Sequence, residues 1–189
     1  MTQVVLFSSY YEIVRAKYAR LSTIISGGAP MQWDKFAAAC PEIAALGEER
    51  LGKNELCLIG TLRKDGSPRI SPCEPDFAAG HLMLGMMWQS HKALDLLRDP
   101  RCVIHSCVSD RMGSEGDFKL YGTAVDIHDA ELRETYRKTI LARIGWEPEE
   151  PNYHLFAIDI SSAGFATFED EHYALAWDAR KGLRRIELS

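Results

Sequence analysis

Short strand-like segments separated by tight-turn signals fill the middle of this chain, and they limit its fold more than any other feature. Residues 55–63 (ELCLIGTLR), 68–77 (PRISPCEPDF) and 81–88 (HLMLGMMW) have the apolar content of strands. Asp65-Gly66 favours a hairpin turn, and Ala79-Gly80 reverses the chain again. Strands joined by such short turns run antiparallel. We therefore predict an antiparallel meander, whose middle strand is irregular or at an edge because it contains prolines.

The remaining 100 or so residues repeat this organisation with helices between the strands. The apolar spacing predicts further strands at 101–108, 117–127 and 153–169, and a last hairpin over 174–188. Helices are predicted over 32–52 (interrupted at Pro41), 90–98 and 129–144. About six or seven hairpin-linked strands with few helices indicate a mainly β fold, a closed or nearly closed antiparallel β-barrel with peripheral helices.

The first 30 residues differ from the rest and are predicted to form a helical arm. Ser9 and Glu12 have the spacing of a capping box, and apolar residues then recur at helical spacing up to Ile25. The breaker Gly27–Pro30 ends this segment. We therefore divide the chain into an arm, residues 1–30, and a barrel domain, residues 31–189. Met31 is an alternative natural start of the protein.

Composition excludes several classes of function. The net charge of −5 argues against a broad nucleic-acid surface, and no apolar run approaches the roughly 20 residues that cross a bilayer. The five cysteines are odd in number and form no CxxC pair, which is typical of a reduced, cytoplasmic protein. His105 and Cys107 would share one face of a strand while Cys102 faces the other way, so we predict no metal site.

A phosphate pocket is predicted between the second strand and the helix that begins near residue 90. Ser90 is a suitable N-cap, and His91 and Lys92 follow it in the first turn. A helix N-terminus attracts anions, and an arginine such as Arg69 can bind two phosphate oxygens with its guanidinium. A lysine in the first turn opposes the helix dipole. An anionic ligand would account for Lys92 better than packing does.

The run RISPCEPDFAAGHLMLGMMWQSHKALDLLRDPR resembles the flavin-binding core of the pyridoxamine 5′-phosphate oxidase-like FMN-binding split barrels. Its most specific part is SHKALDLLRDP, and a weaker resemblance extends from about Met31 to the C-terminus. The resemblance implies an antiparallel split barrel that binds FMN. It implies that Arg69, His91 and Lys92 hold the phosphate, and that Ile70, Ser71 and Pro72 line the edge of the isoalloxazine ring, partly through backbone groups. It also implies that Gly85 and Met86, on the third strand, lie beside the cofactor. Ser90, at the helix start, is a further candidate cofactor-binding residue.

The same resemblance implies an oxidoreductase that acts on a small molecule and forms a homodimer with its cofactor at the interface. His91 stands where the oxidase usually has arginine, and the end of the chain, WDARKGLRRIELS, lacks the oxidase's arginine–histidine substrate motif. No acid, base or nucleophile is assigned. Two alternatives remain: a deazaflavin-dependent reductase, and a non-catalytic protein that binds flavin or haem. If Lys92 holds phosphate, Lys92→Ala should lose the cofactor without unfolding the protein.

Overall fold

The computed structural model describes residues 30–168 and 172–188. The predicted arm over residues 1–30 therefore lies, apart from its last residue, outside the described part of the chain. Met31 is tied to the barrel by its backbone, because its N–H donates to Asp159 Oδ1 (2.8 Å) and its carbonyl accepts from Ile160 N–H (3.0 Å).

Four helices and nine strands make up the described residues. The helices are α1 (Trp33–Ala39), α2 (Pro41–Lys53), α3 (His91–Arg98) and α4 (Ala130–Ile144). The first five strands are β1 (Cys57–Leu62), β2 (Pro68–Cys73), β3 (Pro75–Ala78), β4 (His81–Met87) and β5 (Arg101–Ser106). The last four are β6 (Asp117–Asp126), β7 (Tyr153–Phe168), β8 (His172–Asp178) and β9 (Gly182–Glu187).

The strands form one antiparallel sheet in the order β2-β1-β5-β6-β7-β4-β3. Only Glu74 separates β2 from β3, so the chain itself joins the two ends of this path. The remaining strands β8 and β9 extend from β7 as a hairpin. The predicted mainly β, antiparallel barrel is confirmed.

Two apolar clusters hold the barrel together. The larger one fills its interior with inward side chains such as Ile59, Phe118 and Phe156, and α1 adds Trp33 and Phe36 to it. The smaller one lies beneath α4 and includes Met83, Tyr136, Ile140 and Leu155. Buried and less buried residues alternate along β1 and β5, because successive side chains of a strand point to opposite faces and only one face packs into the core.

Most helices and strands lie where the sequence predicts them, and a few differ in their bounds. The predicted strand over 68–77 is irregular and at an edge, as expected from its prolines: it breaks at Glu74 into β2 and β3, which are the two ends of the sheet path. The predicted helix over 32–52 breaks at Cys40, so that Pro41 begins α2 in the first position, where a proline costs no hydrogen bond. Cys107 lies beyond the end of β5, so it does not share a strand face with His105. None of the helices in residues 30–168 and 172–188 is long and apolar enough to span a membrane.

Candidate functional site

A pocket of about 460 Å³ lies beside α3, the β1–β2 turn and β2. This volume is within the range of small-molecule and cofactor sites. Its lining combines four permanent cations with two carboxylates and one histidine, so the pocket favours an anion. The lining residues are Arg63, Lys64, Asp65, Arg69, His91, Leu94, Asp95 and Arg98.

Asp95 is the buried centre of this pocket, with a side chain only 5% exposed. Its Oδ2 accepts from Arg69 Nε (2.6 Å) and from Thr61 Oγ1 (3.1 Å), and its Oδ1 accepts from Arg98 Nη2 (3.1 Å). Burial on its own raises the pKa of Asp95. The hydrogen bonds from Arg69, Arg98 and Thr61 outweigh that effect and hold the pKa below its usual range. Asp95 is therefore ionised at neutral pH.

Arg69 reaches the pocket because β2 places it on the same face as its β1 partner, the buried Thr61. Only Nε of its guanidinium is used in the hydrogen bonds of the described residues. Both terminal nitrogens are therefore available to a ligand, and they have the geometry that binds two oxygens of a phosphate.

The N-terminus of α3 carries polar groups without partners among the described residues. Ser90 occupies the N-cap position, as predicted, but its side chain makes no capping hydrogen bond. Its Oγ is buried and has no hydrogen-bond partner in the described part of the chain. The N–H groups of the first helical turn have no intrahelical partners. Ser90 and the first turn of α3 thus lack the acceptor that a phosphate oxygen would supply, and these residues fit the phosphate of a flavin mononucleotide.

Lys92 and His91, which are both predicted to hold the phosphate, make different contacts in the structure. His91 lines the pocket, whereas Lys92 Nζ donates to the carbonyl oxygen of Pro72 at 2.5 Å. Lys92 consequently ties the first turn of α3 to β2, which pairs with β1 alone among the described strands. A phosphate at the start of α3 would compete with Pro72 for this ammonium group.

The other predicted β2 residues divide between the two faces of the strand. Ser71 shares a face with Arg69, while Ile70 and Pro72 point to the opposite, outer face of the sheet. Ile70 is 73% exposed. A ligand in the pocket cannot meet all of them through side chains, so contacts with both faces require a cofactor that lies along the unpaired edge of β2.

An exposed apolar patch surrounds Ile70 on the outer face of the sheet. Gly60 lies opposite Ile70 in the sheet register, and a Cβ there would meet Val103 Cγ1 at 2.6 Å. The missing side chain leaves room for Val103 beside Gly60. Two further exposed side chains, Leu58 and Tyr121, flank it. We call Leu58, Ile70, Val103 and Tyr121 the outer patch.

Gly85 and Met86 are not brought to the pocket. A Cβ on Gly85 would lie 2.0 Å from Tyr136 Oη, so this glycine makes room for α4. Met86 points the other way, is only 3% exposed and belongs to the barrel core. The structure thus gives both residues packing contacts.

A buried histidine that the sequence did not reveal fixes the segment before α3. His154 Nε2 accepts from the backbone N–H of Gln89 (3.2 Å), and Trp88 stacks on its ring at 4.5 Å with an interplanar angle of 10°. Gln89 has a φ of +57°, in the left-handed region. Burial lowers the pKa of His154 and keeps its ring neutral, as an acceptor must be. His154 lies 65 residues from Gln89, so no local pattern predicts this contact.

Comparison with known proteins identifies the family. The model of the pyridoxamine 5′-phosphate oxidase family matches residues 45–166, well over half of the chain. The chain belongs to the pyridoxamine 5′-phosphate oxidase family. The matched segment contains every residue of the pocket. No curated protein matches the sequence.

Solved structures confirm the split-barrel fold of this family member. An FMN-binding, pyridoxamine 5′-phosphate oxidase-related protein from Nostoc punctiforme has a TM-score of 0.56 at 13% identity, covering 77% of this chain and 94% of its own. PhzG from Burkholderia lata, solved with tetrahydrophenazine-1-carboxylic acid, gives 0.54 at 11%, covering 77% and 88%. A haem-binding protein from Mycobacterium smegmatis gives 0.51 at 16%, covering 76% and 57%. At these identities the likeness establishes the fold alone.

Proposed function

We propose that this protein binds FMN and is an oxidoreductase that acts on a small molecule. The observation that carries the proposal is the juxtaposition, in one cationic pocket, of the unused guanidinium fork of Arg69 with His91 at the start of α3. This combination suits a phosphate monoester. The family, and the FMN-binding relative from Nostoc punctiforme, support the same ligand.

In this proposal Arg69, His91 and the first-turn N–H groups of α3 hold the phosphate, with Lys92 joining them on binding. The flavin ring lies along the free edge of β2, where the backbone of Ser71 and Pro72 contacts it. A bound flavin supplies the redox chemistry, and the protein binds and orients it.

The outer patch supports a homodimer as the second part of the proposal. A flavin along the edge of β2 is covered on one side only by its own protomer, and an apolar surface beside it suits a second copy of the chain. Light scattering should give twice the monomer mass, and Ile70→Glu should produce monomers. Leu141→Glu, which changes an exposed apolar side chain of α4 outside both the patch and the pocket, is the matched control and should stay dimeric. A monomeric wild-type protein overturns this part of the proposal.

A reducing, cytoplasmic setting is the third part, supported by the cysteines. All five are free, and four of them are buried. Burial raises the pKa of Cys73 to about 11 and that of Cys102 to about 12, so these thiols are poorly ionised. A disulfide-dependent secreted protein would not carry such a set.

Absorbance spectroscopy of the purified protein, with mass spectrometry of the ligand released on denaturation, tests the cofactor. Released FMN, or uptake of added FMN in preference to riboflavin, is the expected result, because only FMN carries the phosphate. Reduction of the bound flavin by a nicotinamide, followed by reoxidation with an acceptor, would support an oxidoreductase. A released deazaflavin, a haem band, or equal affinity for FMN and riboflavin would overturn the FMN assignment.

A further inference from the structure

A buried carboxylate at the centre of an anion pocket is unexpected, because its charge repels the ligand. Asp95 nevertheless lies between the two arginines that line the pocket, Arg69 and Arg98. The carboxylate of Asp95 would repel a phosphate bound beside it, and this repulsion costs free energy. Asp95 must therefore contribute something that offsets this repulsion.

Attachment of α3 to the sheet does not require the contact with Arg69. Arg98 Nη2 contacts both Asp95 Oδ1 and the carbonyl oxygen of Leu62 at the end of β1. Thr61 Oγ1, also on β1, donates to Asp95 Oδ2. These contacts join the helix to β1 without any part of β2.

The geometry of the Arg69 contact indicates a different task. Asp95 Oδ2 accepts from Nε, at 2.6 Å, and leaves both terminal nitrogens of the guanidinium without a hydrogen bond in the described residues. An arginine held by Nε has its planar group fixed, and the opposite, two-pronged side remains for a ligand. A flexible arginine would lose conformational entropy when it binds a phosphate, and an arginine already fixed by Asp95 would lose less.

We infer that Asp95 is a positioning residue of the cofactor site, which holds the Arg69 guanidinium so that its terminal nitrogens bind the phosphate of the flavin. This inference rests on the proposed function. It predicts that removal of the Asp95 charge weakens phosphate binding. Simple electrostatics predicts the opposite, because the loss of a negative charge should strengthen the binding of an anion.

The affinity of the full-length protein for FMN divided by its affinity for riboflavin isolates the contribution of the phosphate. Asp95→Ala should lower this ratio roughly tenfold to a hundredfold, the effect of losing one charge-assisted hydrogen bond. Asp95→Asn, which keeps the shape and one acceptor oxygen, should lower it less and decides the question if the alanine variant does not fold. A merely structural role would weaken both ligands alike and leave the ratio unchanged.

Two further variants complete the test. In an Arg69→Ala background, Asp95→Ala should have no additional effect on the ratio, because the group that it positions is absent. Asp99→Ala is the matched control, since Asp99 binds Arg101 outside the pocket, and its ratio should equal that of the wild type. An unchanged or raised ratio in a folded Asp95 variant overturns the inference while the proposed function stands. A wild-type ratio near one overturns the proposed function, and the inference with it.

Discussion

Gly85→Ala tests whether Gly85 serves packing, as the structure indicates, or cofactor contact, as the family resemblance implies. A Cβ at this position would lie 2.0 Å from Tyr136 Oη and 2.9 Å from its Cζ. The hydroxyl would have to withdraw by more than an ångström to reach ordinary contact at 3.4 Å. Tyr136 cannot move freely, because it is buried in the cluster beneath α4 and stacks on Tyr153.

Overpacking of this kind costs about 1–3 kcal/mol. For a protein of this length that corresponds to a Tm lower by roughly 2–12 °C. We expect thermal melts to show this loss, while the FMN affinity of the folded variant stays close to that of the wild type. Gly52→Ala is the control, because nothing lies within 4 Å of a Cβ at this helical position. That variant should be neutral or more stable, since alanine suits a helix better than glycine.

Tyr136→Phe provides the decisive comparison, since it removes the atom nearest to the new Cβ. Gly85→Ala should cost less in the Tyr136→Phe background than in the wild type, with a coupling free energy of at least about 0.5 kcal/mol. Equal costs in the two backgrounds would refute the packing explanation. A Gly85→Ala variant with normal Tm and weakened FMN binding would instead support the contact with the cofactor.

Three further predictions concern charge. Lys53, Arg50 and Ser109 donate hydrogen bonds to Glu115 and lower its pKa to about 2. The wild type should therefore be more stable than Glu115→Gln above about pH 5, and this difference should disappear as the pH falls towards 2. Thermal melts across that pH range measure it. Burial lowers the pKa of His154 below 6.5, so wild-type stability should fall as the pH drops below that value, and His154→Phe should flatten this slope between pH 7 and 5. Lys92→Ala should reduce FMN affinity roughly tenfold to a hundredfold, or about 1.5–3 kcal/mol, in a protein that still folds; undiminished occupancy would remove Lys92 from the site.

Features governed by neighbouring residues could be predicted from the sequence. The Asp65-Gly66 turn is present, with Gly66 at a φ of +83°, and Asp129 caps α4 by accepting from Leu132 N–H at 2.9 Å. Apolar residues recur at helical spacing along α4, and two of them, Tyr136 and Ile140, are buried, whereas Ile144 at the same spacing is 45% exposed. Ile144 is the last residue of α4, and periodicity does not reveal where a helix leaves the surface that it covers.

Periodicity could not predict the full set of residues in the candidate site, because some of them meet through contacts between distant parts of the sequence. Arg69, His91 and the start of α3 could be predicted, because a strand arginine and a basic helix start are visible locally. Asp95 could have been noticed, since it lies four residues after His91 and therefore on the same side of the helix. Its bond to Arg69 joins residues 26 apart, and only the packing of α3 on β1 brings them together.

The position of β2 connects the first two parts of the proposed function, FMN binding and the homodimer. An edge strand with unpaired backbone groups invites pairing with other chains, and proteins usually protect such an edge. Here Pro68 and Pro72 remove two N–H donors from the strand, and Lys92 binds the Pro72 carbonyl, so the edge is poorly suited to an added strand. The same features leave the edge accessible to a small planar ligand whose phosphate reaches Arg69. A ring bound there would border the outer patch around Ile70, and closure by a second copy would shield both from water. We therefore expect dimerisation and FMN binding to be coupled: Ile70→Glu should weaken FMN binding as well as the dimer, and a monomeric variant with full FMN affinity would show that one protomer completes the site.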